Sequence, residues 1–502
     1  MVKTLRKRTI FNLLGLAIVL VWIVLMGMQI KKVSYSGGEG RKIDENDLMT
    51  IDDVLREWKE IYLKGKKVGY SVSIIRPIEE GYYLQEEIFL KLNLMGFEKG
   101  LYTITYSNVD KNFFLKNFYF KMNSGVVNYE ISGSVEGEYI LIKTGRGRRK
   151  RTERIKLLEP PMISAGMGHI FKTLNPNVGD TFRLPFFDPS TMAQKEAEFK
   201  VSAKESININ KTDYEAFRVE TNIWGALLTF WIDQEGTVLR EEGFMGLVME
   251  KSSAANARMN IETGDEEDFY ELTAVQADRE LPNPGRLGYL KLKIEGHDES
   301  VILPGSMDGG RQKFSNGVME IFRERVPLKA SYSIPYDEAN NELNDFLKAE
   351  FNIESDVSEI RDKAAQIAGK ERDPISVTGK LSNWVYNNLE KKPVLSIPSA
   401  LEVLRTKVGD CNEHATLLTA LLRASGIPAR INIGLVYNRG KFFYHAWTEA
   451  YVGEWISMDA TLNQMPADVS HILLMQGNLE RQVEIMGLIG KLKIEVLDYE
   501  YD

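Results

Sequence analysis

The sequence predicts a multidomain chain with an N-terminal transmembrane helix, an antiparallel β-rich domain and a C-terminal α+β domain. The first observation is length, because 502 residues exceed what a single hydrophobic core usually serves. The second is patterning, which changes from an apolar run to period-two alternation, and then to helical spacing followed by strands. The chain has 43% hydrophobic and 27% charged residues, which is typical of folded protein, and its net charge of −8 predicts no nucleic-acid partner.

The apolar run covers residues 10–30, and at about 1.5 Å per residue it spans about 31 Å, close to the hydrocarbon thickness of a bilayer. Basic residues flank it on both sides: Lys3, Arg6, Lys7 and Arg8 before it, Lys31 and Lys32 after it. Because the more basic side stays in the cytoplasm, we expect a cytoplasmic tail at 1–9, a single-pass anchor at 10–30 and an extracytoplasmic bulk, periplasmic or extracellular. A cleaved signal peptide is the alternative. We favour the anchor because the run exceeds a usual h-region and no small-x-small site follows it.

A polar, glycine-containing linker is expected at 31–50, followed by the antiparallel β-rich domain at 51–270. Its strand-like segments are rich in β-branched and aromatic residues and lie at Tyr70–Ile75, Tyr102–Tyr106, Phe113–Tyr119 and Tyr139–Ile142. The alternation implies one buried face, and the repeated strand–turn spacing predicts a curved sheet, an open barrel or a sandwich. A short helix is expected near Met162–Lys172.

An acidic run at Asp265–Asp268 and the segment Leu281–Gly285 (LPNPG) predict a boundary after the β-rich domain. We expect a β-rich connecting region at 271–345 and a separate domain at 346–502. In that domain helical spacing gives way to strand-like segments, which predicts an α+β fold.

The chain has a single cysteine, so it cannot form an internal disulfide. Cys411 shares one helix face with Ala415, Leu418 and Leu422, and it lies in the first turn of that helix. The positive end of the helix dipole favours a thiolate there. Gly409 is expected to allow a tight turn into the helix, and the segment that begins at Gly426 (GIP) is expected to end it.

His445 and Asp459 lie in two strand-like segments that Gly453 and Glu454 separate. A hairpin would bring the two side chains close together. The carboxylate would then orient the imidazole, and the imidazole would take the proton of the cysteine, which is the general arrangement of a catalytic triad.

Three motifs, GDCNEHATLLTALLRASGIPARI, YHAWTEAYV and WISMDAT, resemble the core motifs of the transglutaminase-like superfamily, in the same order. The core motifs span residues 400–463. The resemblance implies a papain-like, transglutaminase-like fold with Cys411 as nucleophile, His445 as general base and Asp459 as the residue that orients the base. It implies an extracytoplasmic cysteine acyltransferase or hydrolase that acts on protein or peptide amides, cell-wall peptides among them, through a thioester. This chemistry requires no cofactor and no metal.

One position departs from the animal transglutaminases, which place an oxyanion-holding tryptophan where this sequence has Ser396 and Ile397. The oxyanion would therefore rely on the Cys411 backbone N–H and a second donor. The alternative from another class is a catalytically silent scaffold or binding protein of the cell envelope. The sequence leaves the acceptor (water or amine) and the oligomeric state open.

Other clusters have simpler interpretations. Zinc binding by Cys411, His414 and His445 is disfavoured, because the spacing is wrong for a structural site and a second cysteine is missing. We expect His414 to pack in the core, and His169, His297 and His471 to be isolated, satisfied histidines. The densest basic cluster comprises Arg146, Arg148, Arg149, Lys150, Arg151 and Arg154. We expect it to be a solvated hairpin loop, with attraction to anionic lipids or wall polymers as the alternative.

Overall fold

The computed structural model describes residues 53–502 except 126–127, 145–150, 224–225, 244–245, 263–267, 297–305, 338–341, 395, 398 and 478–483. The tail, anchor and linker predicted at 1–50 lie outside the described residues, as do His297 and four members of the basic cluster, Arg146 to Lys150. Within the described part of the chain, no helix combines the length and apolar character needed to cross a bilayer. The described residues form two compact units, which divide between Asp268 and Phe269.

The first unit is built on one fourteen-stranded sheet in the order β8-β7-β6-β5-β4-β3-β2-β1-β14-β13-β12-β11-β10-β9. The strands are β1 (Leu55–Leu63), β2 (Lys66–Ile78), β3 (Gly81–Leu94), β4 (Phe97–Val109), β5 (Leu115–Asn123), β6 (Asn128–Glu136), β7 (Tyr139–Thr144), β8 (Arg151–Lys156), β9 (Thr181–Asp188), β10 (Ala193–Ile209), β11 (Thr212–Ile223), β12 (Ala226–Ile232), β13 (Val238–Glu242) and β14 (Leu247–Ser252). Every neighbouring pair in this sheet is antiparallel, so the predicted antiparallel β-rich domain is confirmed.

Alternation explains why these segments form strands. In β3 the even-numbered residues from Leu84 to Leu94 are buried, whereas the odd-numbered residues between them are partly exposed. Met162 forms isolated bridges to Phe114, next to β5, and to Phe186 of β9. Because β5 and β9 are far apart in the strand order, both bridges require a strongly curved sheet.

Two short helices accompany this sheet. The first, α1 (Met167–Leu174), follows a buried 3-10 turn at Ser164–Gly166 and agrees with the helix predicted nearby. The second, α2 (Ala254–Arg258), begins at a Ser253 cap.

The inner face of this sheet also carries buried charges. Lys59 of β1 pairs with Glu241 of β13, and both side chains are almost completely buried. Glu86 of β3 is 3% exposed. Burial, together with the nearby Glu241, raises the pKa of Glu86 to about 8.

The second unit contains three sheets, with orders β15-β22-β21-β24 (β23 on β22), β17-β18-β16-β25 and β19-β20. Its strands are β15 (Val275–Gln276), β16 (Leu287–Glu295), β17 (Gln312–Ser315), β18 (Val318–Phe322), β19 (Glu390–Lys391), β20 (Val408–Gly409), β21 (Ala429–Asn438), β22 (Lys441–Tyr451), β23 (Trp455–Met458), β24 (His471–Gln476) and β25 (Lys493–Tyr501). Its helices are α3 (Phe269–Thr273), α4 (Ser358–Ala368), α5 (Pro374–Asn388), α6 (Ala400–Thr406) and α7 (Cys411–Ala424).

The strands of the predicted connecting region are part of this second unit. Strand β16 pairs with the C-terminal strand β25, and β15 pairs with β22. Segments from either side of residue 346 therefore share the same sheets.

Helix α7 occupies the centre of the α+β part. Nearly all of its residues are buried, and α4, α5 and α6 pack around it. It contacts β22 through Thr448, whose hydroxyl lies 3.3 Å from the Thr419 hydroxyl and donates to the Ala415 carbonyl at 3.2 Å.

Candidate active site

Cys411 is the first residue of α7, as predicted from its apolar face. Asp410 caps the helix by accepting a hydrogen bond from the Asn412 N–H at 3.2 Å, and Glu413 accepts one from the Asp410 N–H at 2.9 Å. This capping box satisfies backbone N–H groups that would otherwise lack partners at the helix start. The helix ends at Ala424, and Gly426 follows in a left-handed conformation (φ 78°), as the sequence predicts.

Gly409 has a different role from the predicted one. It lies in β20 and does not adopt a positive φ. A Cβ at this position would lie 2.2 Å from the Cβ of Glu413. The glycine therefore makes room for the Glu413 side chain, which folds back to complete the cap.

The environment of Cys411 is closed and polar. Its side chain has no exposed surface. Burial and the neighbouring Glu413 raise the pKa of Asp410 well above its usual range, which favours the neutral acid beside the thiol. Ser396, at the position that departs from animal transglutaminases, is buried and donates a hydrogen bond to the Glu413 carboxylate.

His445 and Asp459 are in direct contact, as the sequence predicts. Strands β22 and β23 form the expected hairpin, and Gly453 adopts a φ of 118° in its turn. The His445 Nε2 lies 2.6 Å from the Asp459 Oδ2. A carboxylate only accepts hydrogen bonds, so Nε2 carries the proton, and Nδ1 is the ring nitrogen that can exchange a proton with a nucleophile.

Asp459 is fully buried and accepts four hydrogen bonds. Its Oδ1 accepts from the backbone N–H groups of Thr461 (2.7 Å) and Leu462 (3.1 Å), and its Oδ2 accepts from His445 and His471. Burial alone would raise the pKa of Asp459. The charges of the two histidines and their hydrogen bonds outweigh burial and hold this pKa well below its usual range.

The cysteine and the histidine lie on packed elements. Ala415, one helical turn after Cys411, accepts the hydrogen bond of Thr448, which follows His445 by three residues on β22. His414, in the first turn of α7, lies close enough to His445 and Asp459 for their charges to influence its protonation. The structure thus brings His445 and Asp459 into contact and places Cys411 on the helix that packs against the His445 strand.

His414 is completely buried, in agreement with the predicted core position. Its Nδ1 lies 2.6 Å from the Asp410 carbonyl oxygen, and its Nε2 has no hydrogen-bond partner among the described residues. Burial lowers the pKa of His414 to about 4, so this imidazole is neutral at physiological pH.

Sequence reasoning missed the involvement of His471. It is a buried and satisfied histidine, as expected, but its ring lies 5.5 Å from that of His445 and its Nε2 lies 3.2 Å from the Asp459 Oδ2. The sequence signal was the spacing of Asp468 and His471 in a DVSH segment. This spacing alone does not reveal that β24 pairs with β21, beside the His445 strand.

Gly434 makes this juxtaposition possible. It lies directly opposite His445 in the β21–β22 register. A Cβ there would lie 1.9 Å from the backbone oxygen of Ile472, so only glycine lets β24 approach β21 this closely.

His445, Asp459 and His471 each offer a ligand-type atom, and these atoms lie within 4.8 Å of one another. An ion coordinated at about 2.0–2.2 Å would have to replace the direct hydrogen bonds that already join the three side chains. We therefore describe the group as a hydrogen-bonded chain. The candidate ligand group among the described residues does not include Cys411 or His414.

Several buried polar atoms of the motif segments have no hydrogen-bond partner in the described part of the chain. They include both polar side-chain atoms of Asn412, the Trp447 Nε1 and the Thr461 hydroxyl. An unpaired buried polar atom costs about 1–3 kcal/mol, so water or a polar ligand is the expected partner of each.

Comparison with known proteins finds a family match in the same part of the chain. The transglutaminase-like superfamily core matches residues 361–460. A curated protein of Haemophilus influenzae without a characterised function is 32% identical over 151 residues, which cover 28% of this chain and only 38% of that protein.

Two solved structures are also similar in part. A proposed cysteine protease from Cytophaga hutchinsonii is 19% identical and covers 43% of this chain and 90% of its own, with a TM-score of 0.30. The periplasmic domain of TgpA from Pseudomonas aeruginosa is 16% identical and covers 38% and 87%, with a TM-score of 0.23. Residues 361–460, which contain Cys411, His445 and Asp459, form a domain of the transglutaminase-like superfamily.

Proposed function

We propose that this protein is an extracytoplasmic cysteine acyltransferase or hydrolase that acts on protein or peptide amides through a thioester, with Cys411, His445 and Asp459 as its catalytic triad. The observation that carries the proposal is the buried 2.6 Å hydrogen bond between His445 and Asp459. His445 lies on the strand that packs against the cysteine helix. A buried carboxylate that fixes an imidazole tautomer is what a general base needs.

In the acylation step the Cys411 thiol transfers its proton to the Nδ1 of His445. The thiolate attacks the amide carbonyl carbon and forms a C–S bond. His445 then gives this proton to the leaving nitrogen as the C–N bond breaks, so that an amine departs and a thioester remains. The first-turn N–H groups of α7 lie at the positive end of its dipole and stabilise negative charge beside Cys411.

In the deacylation step water or a primary amine attacks the thioester carbonyl. His445 accepts the proton of the attacking group, and the C–S bond breaks. The thiolate is regenerated, and the product is a carboxylic acid or a new amide. Asp459 remains ionised in both steps, because four hydrogen bonds stabilise its charge.

The cellular location and the substrate class follow from the N-terminal segment. An anchor at residues 10–30 with its basic side in the cytoplasm leaves the triad outside, where envelope proteins and cell-wall peptides supply amides. The membrane is the second proposed partner, through the same segment.

The alternative function is a silent transglutaminase-like scaffold of the cell envelope. The observation that favours it is the complete burial of Cys411, because a substrate carbonyl can reach the sulfur only if neighbouring groups move. The two functions differ in the state of the thiol. In a triad the thiol ionises at pH values well below the ordinary cysteine pKa of about 8.5. In a scaffold it does not.

The decisive experiment compares turnover in wild type with that of single variants. Extracts of membrane and wall proteins are incubated with the full chain and a dye-labelled primary amine, while amide hydrolysis is followed by mass spectrometry. His445→Ala should reduce the rate on the order of 10²–10⁴-fold, the usual contribution of a general base. Cys411→Ala should abolish both reactions.

The matched control is His169→Gln, which removes a histidine of the other compact unit, where it packs beside Phe113. It should leave both rates unchanged. Turnover of His445→Ala at the wild-type rate would rule out the assigned base, and a thiol that titrates near about 8.5 would favour the scaffold.

A further inference from the structure

We propose that His471 is a positioning residue of this site: a buried imidazolium between Asp459 and Asp468 that holds the carboxylate which orients His445. This inference rests on the proposed function. His471 acts through Asp459 and is not assigned a contact with the substrate.

The His471 ring lies between two carboxylates. The His471 Nε2 lies 3.2 Å from the Asp459 Oδ2, and its Nδ1 lies 3.2 Å from the Asp468 Oδ1. A neutral imidazole has one N–H donor and one lone pair, so one of these contacts would set a lone pair against a carboxylate. The protonated ring donates to both carboxylates, which makes the cation the form that fits.

Asp468 is itself held in place as an anion. Its Oδ1 accepts from the Ser470 N–H at 2.9 Å and the Ser470 hydroxyl at 2.6 Å, and its Oδ2 accepts from the Gln464 side chain at 2.8 Å. Burial opposes ionisation, but these bonds and the charge of His471 lower the pKa of Asp468. His471 thus lies between two fixed negative charges.

The charged groups around His471 come from several elements. Asp459 follows β23, Asp468 precedes β24, and His445 lies across on β22. Arg311 donates a hydrogen bond to the His471 carbonyl oxygen at 3.1 Å. The neutral His414, on α7, lies near His445. Burial would lower the pKa of His471, but the two carboxylates outweigh it and raise this pKa to about 9.

The imidazolium has a direct effect on the proposed chemistry. Asp459 Oδ2 shares its charge between His445 and His471, and the second donor prevents the carboxylate from turning away from His445. Removing the positive charge leaves His445 as the one histidine that interacts with Asp459, beside the two backbone N–H groups. The His445 ring lies 5.5 Å from that of His471, so its imidazolium form then becomes more stable, and the pH dependence of the thiol that it serves moves to higher pH.

The test measures how fast iodoacetamide alkylates Cys411 as a function of pH, in the full chain. Because Cys411 is the single cysteine, no other thiol contributes. In His471→Gln the inflection of this alkylation profile should shift upward by about one pH unit, the low end of the effect of a charge within about 4–6 Å. His471→Lys, which restores a cation, should return the profile toward that of wild type.

The control is again His169→Gln, the same exchange in the other unit, which should not move the profile. A loss of stability in His471→Gln with an unchanged profile would mean that His471 is merely structural, and it would overturn the proposal.

A second measurement does not depend on the variant folding. In the wild-type chain labelled with 13C at histidine Cε1, the resonance of His471 should show an imidazolium at pH 7 and titrate near pH 9. A neutral ring at pH 7 would overturn the proposal. The wild-type alkylation profile separately tests the proposed function, because a thiol that titrates near about 8.5 in wild type would contradict the triad whatever the state of His471.

Discussion

Asp459 illustrates how individual side chains define the candidate site. Both of its oxygens accept two hydrogen bonds, two from histidines and two from backbone N–H groups. Charge-assisted hydrogen bonds of this kind compensate for the burial of the carboxylate. The orientation of the His445 ring therefore depends on a carboxylate that has no freedom to rotate.

The first prediction concerns Glu86 in the sheet of the first unit. Its pKa is about 8 in the folded protein, against an ordinary 4.5. Because the folded-state pKa is raised, the folded protein binds the proton more tightly, and this contribution to stability is complete below about pH 4.5 and is lost as the pH rises toward 8. Glu86→Gln keeps the uncharged form at every pH. The variant should be more stable than wild type at pH 8, by an amount on the order of a few kcal/mol.

Urea unfolding at several pH values between 5 and 8 checks this prediction, with Glu138→Gln as control, since the Glu138 side chain is 76% exposed. The control should preserve the wild-type dependence on pH. A Glu86→Gln profile parallel to that of wild type would contradict the assigned protonation of Glu86.

The sequence was informative about some of these residues and silent about others. His445 and Asp459 were predicted because the three motifs contain them and a short turn connects their strands. His471 and the Lys59–Glu241 pair were not predicted. The position of His471 beside Asp459 depends on the pairing of β24 with β21, and Lys59 and Glu241 are 182 residues apart. Local sequence patterns predict the secondary structure in which a buried charged residue lies, but they do not identify the residue with which it pairs.

At the scale of elements, helix α7 and strands β21 to β24 hold the site together. The helix supplies Cys411 at its capped start, while the strands supply His445 and His471 across a common sheet. Two glycines, Gly409 and Gly434, allow the close approaches on which this arrangement depends. We predicted the helix and the hairpin from spacing, but close approaches between distant segments leave no periodic signal.

The second prediction tests this role of Gly434. An added Cβ would meet the Ile472 backbone oxygen at 1.9 Å, so Gly434→Ala must push β24 away from β21. Inserting volume into a packed site costs about 1–3 kcal/mol, and a clash with backbone belongs at the upper end of that range. The free energy of unfolding from urea titration should fall by this amount, and the separation of β24 should weaken the contact between His471 and Asp459.

The matched control is Gly379→Ala in helix α5. Its nearest neighbour would be the Met465 sulfur at 3.9 Å, an ordinary contact. Alanine favours the helix by about 0.5–1 kcal/mol over glycine, so this variant should be more stable than wild type. If both alanine variants shifted stability in the same direction, the steric explanation for Gly434 would be wrong.

At the scale of the whole molecule the described residues divide into two compact units at 268 and 269. Alternation predicted the antiparallel character of the first unit, but not its strand order, in which β1 pairs with β14 and joins two meanders. The same limit applies to the second unit, where β16 pairs with β25 although they are about two hundred residues apart. Pairing of this kind depends on three-dimensional packing and has no local signature.

The last prediction concerns residues 10–30, for which we propose an anchor in the membrane. If residues 10–30 are an uncleaved anchor, the intact mass of the purified protein should include them, and the protein should remain in the membrane fraction after alkaline washing. Leu20→Arg places a charge at the centre of the run, where insertion is less favourable by about 2.5–3.5 kcal/mol, and should release much of the protein. Leu20→Ile keeps the run apolar and should not release the protein. A mature chain that begins after residue 30 would instead identify the segment as a cleaved signal peptide, and the proposed membrane attachment would be wrong while the extracytoplasmic location remained.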